Sequence, residues 1–197
     1  MTALLESGPF VPEVEASPSL EASPSLETVA PAPQTLVEIL ACGGPDRGDD
    51  GAAMTAVARL ADALPDDVRI RVVGQLDIDD LLAVQHGAGA VVVDTAIGID
   101  PGWIVEIPFS GLAGRSSGIR PRSSHALSIP ETIGVANMIR GRPLEGMIVA
   151  IGGVDFGLGE SLSWPVIAAM DAFVMAIADA VRRTRDHVLE RAAAIRH

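Results

Sequence analysis

The run Ala88-Gly-Ala-Val-Val-Val-Asp94 constrains the fold more than any other stretch, because up to its final carboxylate it has no polar face. A strand with one side in water alternates apolar and polar residues, whereas one that is apolar throughout is covered on both sides. Strands of that kind belong to parallel sheets flanked by helices. Leu36–Cys42, Val68–Val73 and Gly146–Ile151 read as further strands, with Trp103–Ile107 as an edge strand. Helical patterns lie between them. Asp50–Ala63 carries Met54, Val57, Ala58 and Ala61 on one face, Asp77–Gln85 is short, and Ile129–Ile139 follows a Gly/Ser/Arg loop. Ser163 is expected to cap a long amphipathic helix reaching Arg185, with Pro165 in its first turn and Arg182, Arg183 and Arg185 at the dipole-matched end. This alternation predicts an α/β protein: a three-layer α/β/α sandwich with a mainly parallel, twisted sheet.

A chain of 197 residues has room for one domain and an appendage. Residues 1–35 form the appendage. Glu15-Ala-Ser-Pro-Ser-Leu20 is repeated at once as Glu21-Ala-Ser-Pro-Ser-Leu26, and Pro31 and Pro33 follow. Such a segment buries too little apolar surface to offset its chain entropy, so a disordered Pro/Ser/Glu-rich tail is expected. The domain proper is placed at residues 36–187, with 188–197 as a C-terminal tail. Aromatic residues make up only 3% of the chain, so the core must come from Val, Ile, Leu and Ala. The net charge of -12 repels phosphate backbones and anionic lipid, so neither nucleic acid nor a membrane is an expected partner. No stretch approaches the roughly 18 uninterrupted apolar residues of a spanning helix, and the first residues lack the basic region of a signal peptide. Cys42 is the only cysteine, which excludes an internal disulfide and a cysteine-rich zinc site. At a strand end it reads as a small buried hydrophobe. A cytoplasmic monomer is the expectation.

Chemistry concentrates where the first strand breaks into Gly43-Gly-Pro-Asp-Arg-Gly-Asp-Asp-Gly51. In open α/β sheets, ligands sit beyond the carboxyl ends of the strands. This loop has neither the Gly-x-Gly-x-x-Gly fingerprint nor a Gly-Lys-Ser/Thr ending, and acidic residues stand where phosphate would lie, so a nucleotide is not expected. One carboxylate suffices to satisfy a helix start. Asp49 is therefore assigned to the cap and Asp50 to the cleft. Asp94 ends its apolar strand, where a carboxylate must find a partner or water; an Asx interaction with Thr95 is the plain alternative. His125, in Ser123-Ser-His-Ala-Leu127, lies in a loop able to cover the same edge. Two carboxylates and an imidazole suit a divalent first-row metal with positions left open. Without a metal, a carboxylate pair suits the activation of water. Glu131 is left out of the site, because Ser128-x-x-Glu131 reads as a capping box.

These segments resemble the hydrogenase maturation endopeptidases, which remove a C-terminal extension from the large subunit of nickel–iron hydrogenases. The opening Gly-x-Gly-Asn…Gly-Asp-Asp/Glu-Gly motif of that family is similar to Cys42–Gly51. Its apolar strand ending in Asp is similar to Val91–Asp94, and its Ser-x-His to Ser123-Ser124-His125. The start of its last helix resembles Gly159-Glu-Ser-Leu-Ser-Trp-Pro-Val166. The resemblance spans residues 36–182. It implies a peptidase, aspartic-type or metal-assisted, with Asp50 and Asp94 as catalytic residues and Asp50, Asp94 and His125 contacting a metal. The implied metal is nickel, carried by the implied partner, the hydrogenase large-subunit precursor. Gly44 departs from the pattern, since the family has Asn there. That departure leaves a second expectation beside the first: a catalytically silent, metal-checking or chaperone-like binder of the precursor. A small-molecule enzyme on the same sheet is a third.

Overall fold

The computed structural model describes residues 34–112, 127–159 and 161–195. The expected tail at the start of the chain and the loop holding His125 lie outside the described residues. Five strands form one sheet: β1 (Val37–Ala41), β2 (Val68–Val72), β3 (Gly89–Ala96), β4 (Ile104–Pro108) and β5 (Gly146–Gly152). Their order is β2-β1-β3-β5-β4. All neighbours run parallel except β4, which pairs antiparallel with β5 at one edge. Four α-helices complete the layers: α1 (Ala52–Leu60), α2 (Ile78–Leu82), α3 (Ile129–Arg140) and α4 (Trp164–Ala194). The sandwich expected from the sequence is the one observed.

Side-chain alternation along the strands divides the core in two. Val37, Ile39 and Ala41 of β1, Val91 and Val93 of β3, and Val149 and Ile151 of β5 pack with residues of α1 and α4. Leu40, Ala90, Val92, Ile148 and Ala150 point the other way, into a cluster with Leu81 of α2 and Ile133 and Ala136 of α3. Within β3 every residue is buried except Asp94, which is half-buried. The absence of a polar face in this strand is thus explained by helices on both sides. Glu38 is a charged residue inside the sheet. Its carboxylate accepts from Arg71 Nε at 2.8 Å and from the Gln85 amide at 3.0 Å, which ties β1 to β2 and to the end of the α2 segment.

Two helices differ from expectation. The segment expected as one helix from Asp50 to Ala63 consists of a 3-10 turn at Gly48–Gly51, then α1, then a second 3-10 turn at Ala61–Ala63. Its buried face is Ala52, Ala53, Ala56, Val57 and Leu60, whereas Ala58 and Ala61 are exposed and Met54 is half-buried. The tight first turn rotates the helix, and the small alanines allow it to sit close against the sheet and α4. α4 runs on to Ala194 rather than ending near Arg185, so residues 188–194 are helix and not tail. Val188 continues its buried stripe of Val166, Met170, Phe173, Ile177 and Val181. Arg185 pairs with Asp67 at 2.8 Å instead of terminating the helix. By length and composition α4 is apolar enough to cross a membrane, yet its stripe at spacings of three and four residues is that of a helix packed on a sheet.

Candidate functional site

The site is built at the carboxyl ends of β1 and β3, which are adjacent and parallel. Beyond β1, Cys42 is buried and the chain turns at Gly43, where φ is 110°. A Cβ at that position would come within 2.0 Å of the Asp50 carbonyl oxygen, so the turn closes only with glycine. The loop then returns so that the Gly44 amide donates to Asp50 Oδ2 at 3.1 Å. Asp50, half-buried, faces a cavity of about 630 Å³.

Asp49 does something other than the expected capping. It is fully buried, and its carboxylate accepts from the amides of Val154 (2.8 Å), Asp155 (2.9 Å) and Ser163 (2.6 Å) and from the Ser163 hydroxyl (2.8 Å). Ser163 does stand at the N-cap position of α4, but its hydroxyl goes to Asp49 rather than to the amides of its own helix. Burial disfavours the Asp49 carboxylate. The donors from Asp155, Ser163 and Val154 outweigh that effect and hold its carboxyl below the ordinary range. Backbone bonds reinforce the tie: Asp49 N to Asp155 O at 2.7 Å, Gly48 N to Gly159 O at 2.6 Å and Gly159 N to Asp46 O at 2.9 Å. The division of labour between the two adjacent acids therefore survives in altered form. Asp49 fastens the loop to the segment after β5, and Asp50 is left facing the cavity.

Asp94 lies on the wall of the same cavity. Its Oδ1 accepts from the Thr95 amide at 2.8 Å, so the Asx interaction weighed from the sequence is present together with the cleft position. The Thr95 hydroxyl donates to the Asp49 carbonyl at 2.8 Å and locks the end of β3 to the glycine loop. Asp50 and Asp94 are thus brought together by two neighbouring strands. Among the described residues no group of three His, Cys, Asp or Glu side chains is placed to hold a metal ion. His125 lies outside them, although Leu127 and Ser128, just beyond it in sequence, line the cavity. Glu131 is occupied as expected: the Ser128 amide and hydroxyl both donate to it at 2.8 Å, which lowers its carboxyl from the usual range. Burial, and after it the charge of Asp94, raises the Cys42 thiol well above its ordinary value, which makes Cys42 a poor nucleophile.

Several lining residues were not singled out from the sequence. Gln75 and Leu76 follow the carboxyl end of β2, and Phe156 follows that of β5, so the rule that pointed to Asp50 and Asp94 would have found them too. Arg47, inside the glycine loop, lines the cavity as well.

No family model matches the sequence, and no curated protein matches it. Solved structures do match. The NiFe hydrogenase maturation protease HybD from Thermococcus kodakarensis superposes with a TM-score of 0.57 at 25% identity, over 75% of this chain and 99% of that one. The hydrogenase maturating endopeptidase HybD from Escherichia coli gives 0.61 at 16% identity, over 76% of this chain and 93% of that one. A hydrogenase 2 maturation peptidase from a Thaumarchaeota archaeon gives 0.52 at 23% identity, over 74% and 97%. Almost the whole of each of those chains is therefore matched by the sandwich described above, and by its fold this chain stands beside the hydrogenase maturation proteases.

Proposed function

We propose that this protein is an endopeptidase that removes the C-terminal extension of a nickel–iron hydrogenase large-subunit precursor once nickel has been inserted. The observation that carries this reading is the placement of Asp50 and Asp94 on one cavity wall, at the carboxyl edge of a sheet that has the fold of the hydrogenase maturation proteases. Nickel enters as part of the substrate. Asp50, Asp94 and His125 contact it and so hold the adjoining chain, with its scissile peptide, in the cleft. Carboxylate oxygens and an imidazole nitrogen are suitable ligands for such an ion. One carboxylate of the pair accepts a proton from the attacking water as it adds to the peptide carbonyl, and that proton passes to the amide nitrogen as the C–N bond breaks and the extension leaves. Neither Cys42 nor a serine is needed as nucleophile.

The reading is tested in the host. Deleting this gene is expected to accumulate the large subunit at its uncut mass, and restoring the gene is expected to return the processed form. A precursor that matures normally without the gene would contradict the proposal. Should the precursor instead co-purify with the protein and never be cut by it, the silent-binder reading holds. The role of His125 is tested by affinity. His125→Ala is expected to weaken binding of nickel-loaded precursor by about tenfold or more, through loss of one ligand. Equal calorimetric affinity for wild type and variant would remove His125 from the contact set.

A further inference from the structure

The cavity is lined by two carboxylates and, among the described residues, by a single cationic side chain, that of Arg47. Arg47 stands apart from most arginines of the described chain. Arg71, Arg183 and Arg185 each reach a carboxylate. Arg47 is exposed, and its guanidinium has no hydrogen bond or ion pair with a described residue. Acidic groups are nonetheless at hand. A Cβ built on Gly44 would lie 3.5 Å from Arg47 Cδ, 3.3 Å from Asp46 Oδ1 and 3.5 Å from Asp50 Oδ2. These three atoms surround one point, so the Arg47 stem lies on the loop near both carboxylates. Backbone bonds hold the loop at this residue: the Arg47 amide donates to the Gly44 carbonyl at 3.3 Å, and the main chain bridges to Gly159. A planar fork of N–H donors, carried on a backbone-bonded loop and unspent among the described residues, matches a carboxylate in two parallel bonds. In a chain of net charge -12, a cationic side chain on the cleft favours an anionic segment of a substrate there.

We propose that Arg47 forms a carboxylate subsite of the cleft, binding an anionic group of the substrate polypeptide near the peptide bond to be cut. This rests on the endopeptidase reading above. The carboxylate has two sources in a polypeptide, an Asp or Glu side chain and the chain terminus, and the same chemistry recognises both.

The experiment uses the full chain and a nickel-loaded hydrogenase large-subunit precursor, with cleavage kinetics and calorimetric affinity measured side by side. Arg47→Gln is expected to raise KM and Kd about tenfold or more while kcat changes less than about threefold, since a charge-assisted contact made equally in ground and transition states is lost. Arg47→Glu is expected to raise them further, and Arg47→Lys to recover part of the loss. Added salt is expected to weaken binding by wild type more than binding by Arg47→Gln. Two precursor series separate the sources, one with acidic residues flanking the cut changed to amides and one with neutral residues appended after the natural terminus. In the series that removes the true ligand, wild type falls to the level of Arg47→Gln, and Arg47→Gln loses nothing more. Wild-type affinity in Arg47→Gln, a fall in kcat alone, or losses that add independently in both series would each overturn the subsite. Cleavage by wild type with any of those results would leave the endopeptidase reading standing. A wild-type protein that neither cuts nor binds the precursor would remove both.

Discussion

Asp94→Asn is expected to slow processing of the precursor by about a hundredfold or more while leaving the protein folded. The two halves of that expectation have separate causes. Asn retains an oxygen that accepts from the Thr95 amide, as Asp94 Oδ1 does at 2.8 Å, so the end of β3 keeps its turn. What Asn lacks is the negative charge and the capacity to take a proton from water. Asp94 is half-buried on the wall of the cavity rather than in the packed interior, so the change of charge falls on the cleft and not on the core. Uncut precursor with an unchanged circular-dichroism spectrum is the predicted pair of results. Processing at the wild-type rate by a folded Asp94→Asn protein would remove Asp94 from the chemistry.

Asp49→Asn is expected to produce the opposite phenotype, a loss of stability of about 3 kcal/mol or more, because hydrogen bonds to a charged acceptor contribute roughly 1.5–3 kcal/mol each and several are disturbed together. The Asp49 carboxylate accepts from three amides and a hydroxyl. In the variant, the amide nitrogen of Asn turns a donor toward donors inside a fully buried site. For a domain of this size that corresponds to a fall in Tm of roughly 6–12 °C. The effect carries a pH signature. The Asp49 carboxyl lies below its ordinary value in the folded state, and the unfolded value is about 3.9. Its stabilisation is therefore complete above about pH 4 and is lost as pH falls through the folded value. Wild type should lose stability more steeply than Asp49→Asn on acidification through that window, so that the gap between them narrows. A Tm within a degree of wild type at pH 7 would contradict the role assigned to Asp49.

The fold was legible because its strongest signals are local. A strand with no polar face demands cover on both sides, and the observed β3 has it. The buried face of α1 shares Val57 with the expected one but is otherwise Ala52, Ala53, Ala56 and Leu60, because alanines on every side of this helix leave its phase open to periodicity and the 3-10 turn at Gly48–Gly51 sets it. The end of α4 was set too early because three arginines resembled a helix terminus, while the stripe that decides its length continues to Val188. In the candidate site, the position of Asp50 and Asp94 on the cavity was legible because strand ends place them, and their distance apart in sequence did not matter. The work of Asp49 was illegible from neighbours alone, since its donors come from residues more than a hundred positions away. Arg47 carries no signal in the sequence, because an arginine in a loop is ordinary until its place on the cavity and its lack of a partner among the described residues are seen in three dimensions.

The most direct test of the central claim is the intact mass of a hydrogenase large-subunit precursor incubated with purified protein, in the presence and absence of nickel. Loss of the C-terminal extension is expected from the nickel-loaded precursor alone, with no loss when Asp50 and Asp94 are both changed to Asn. An unchanged mass with wild type, or cleavage that persists in the double variant, would contradict it.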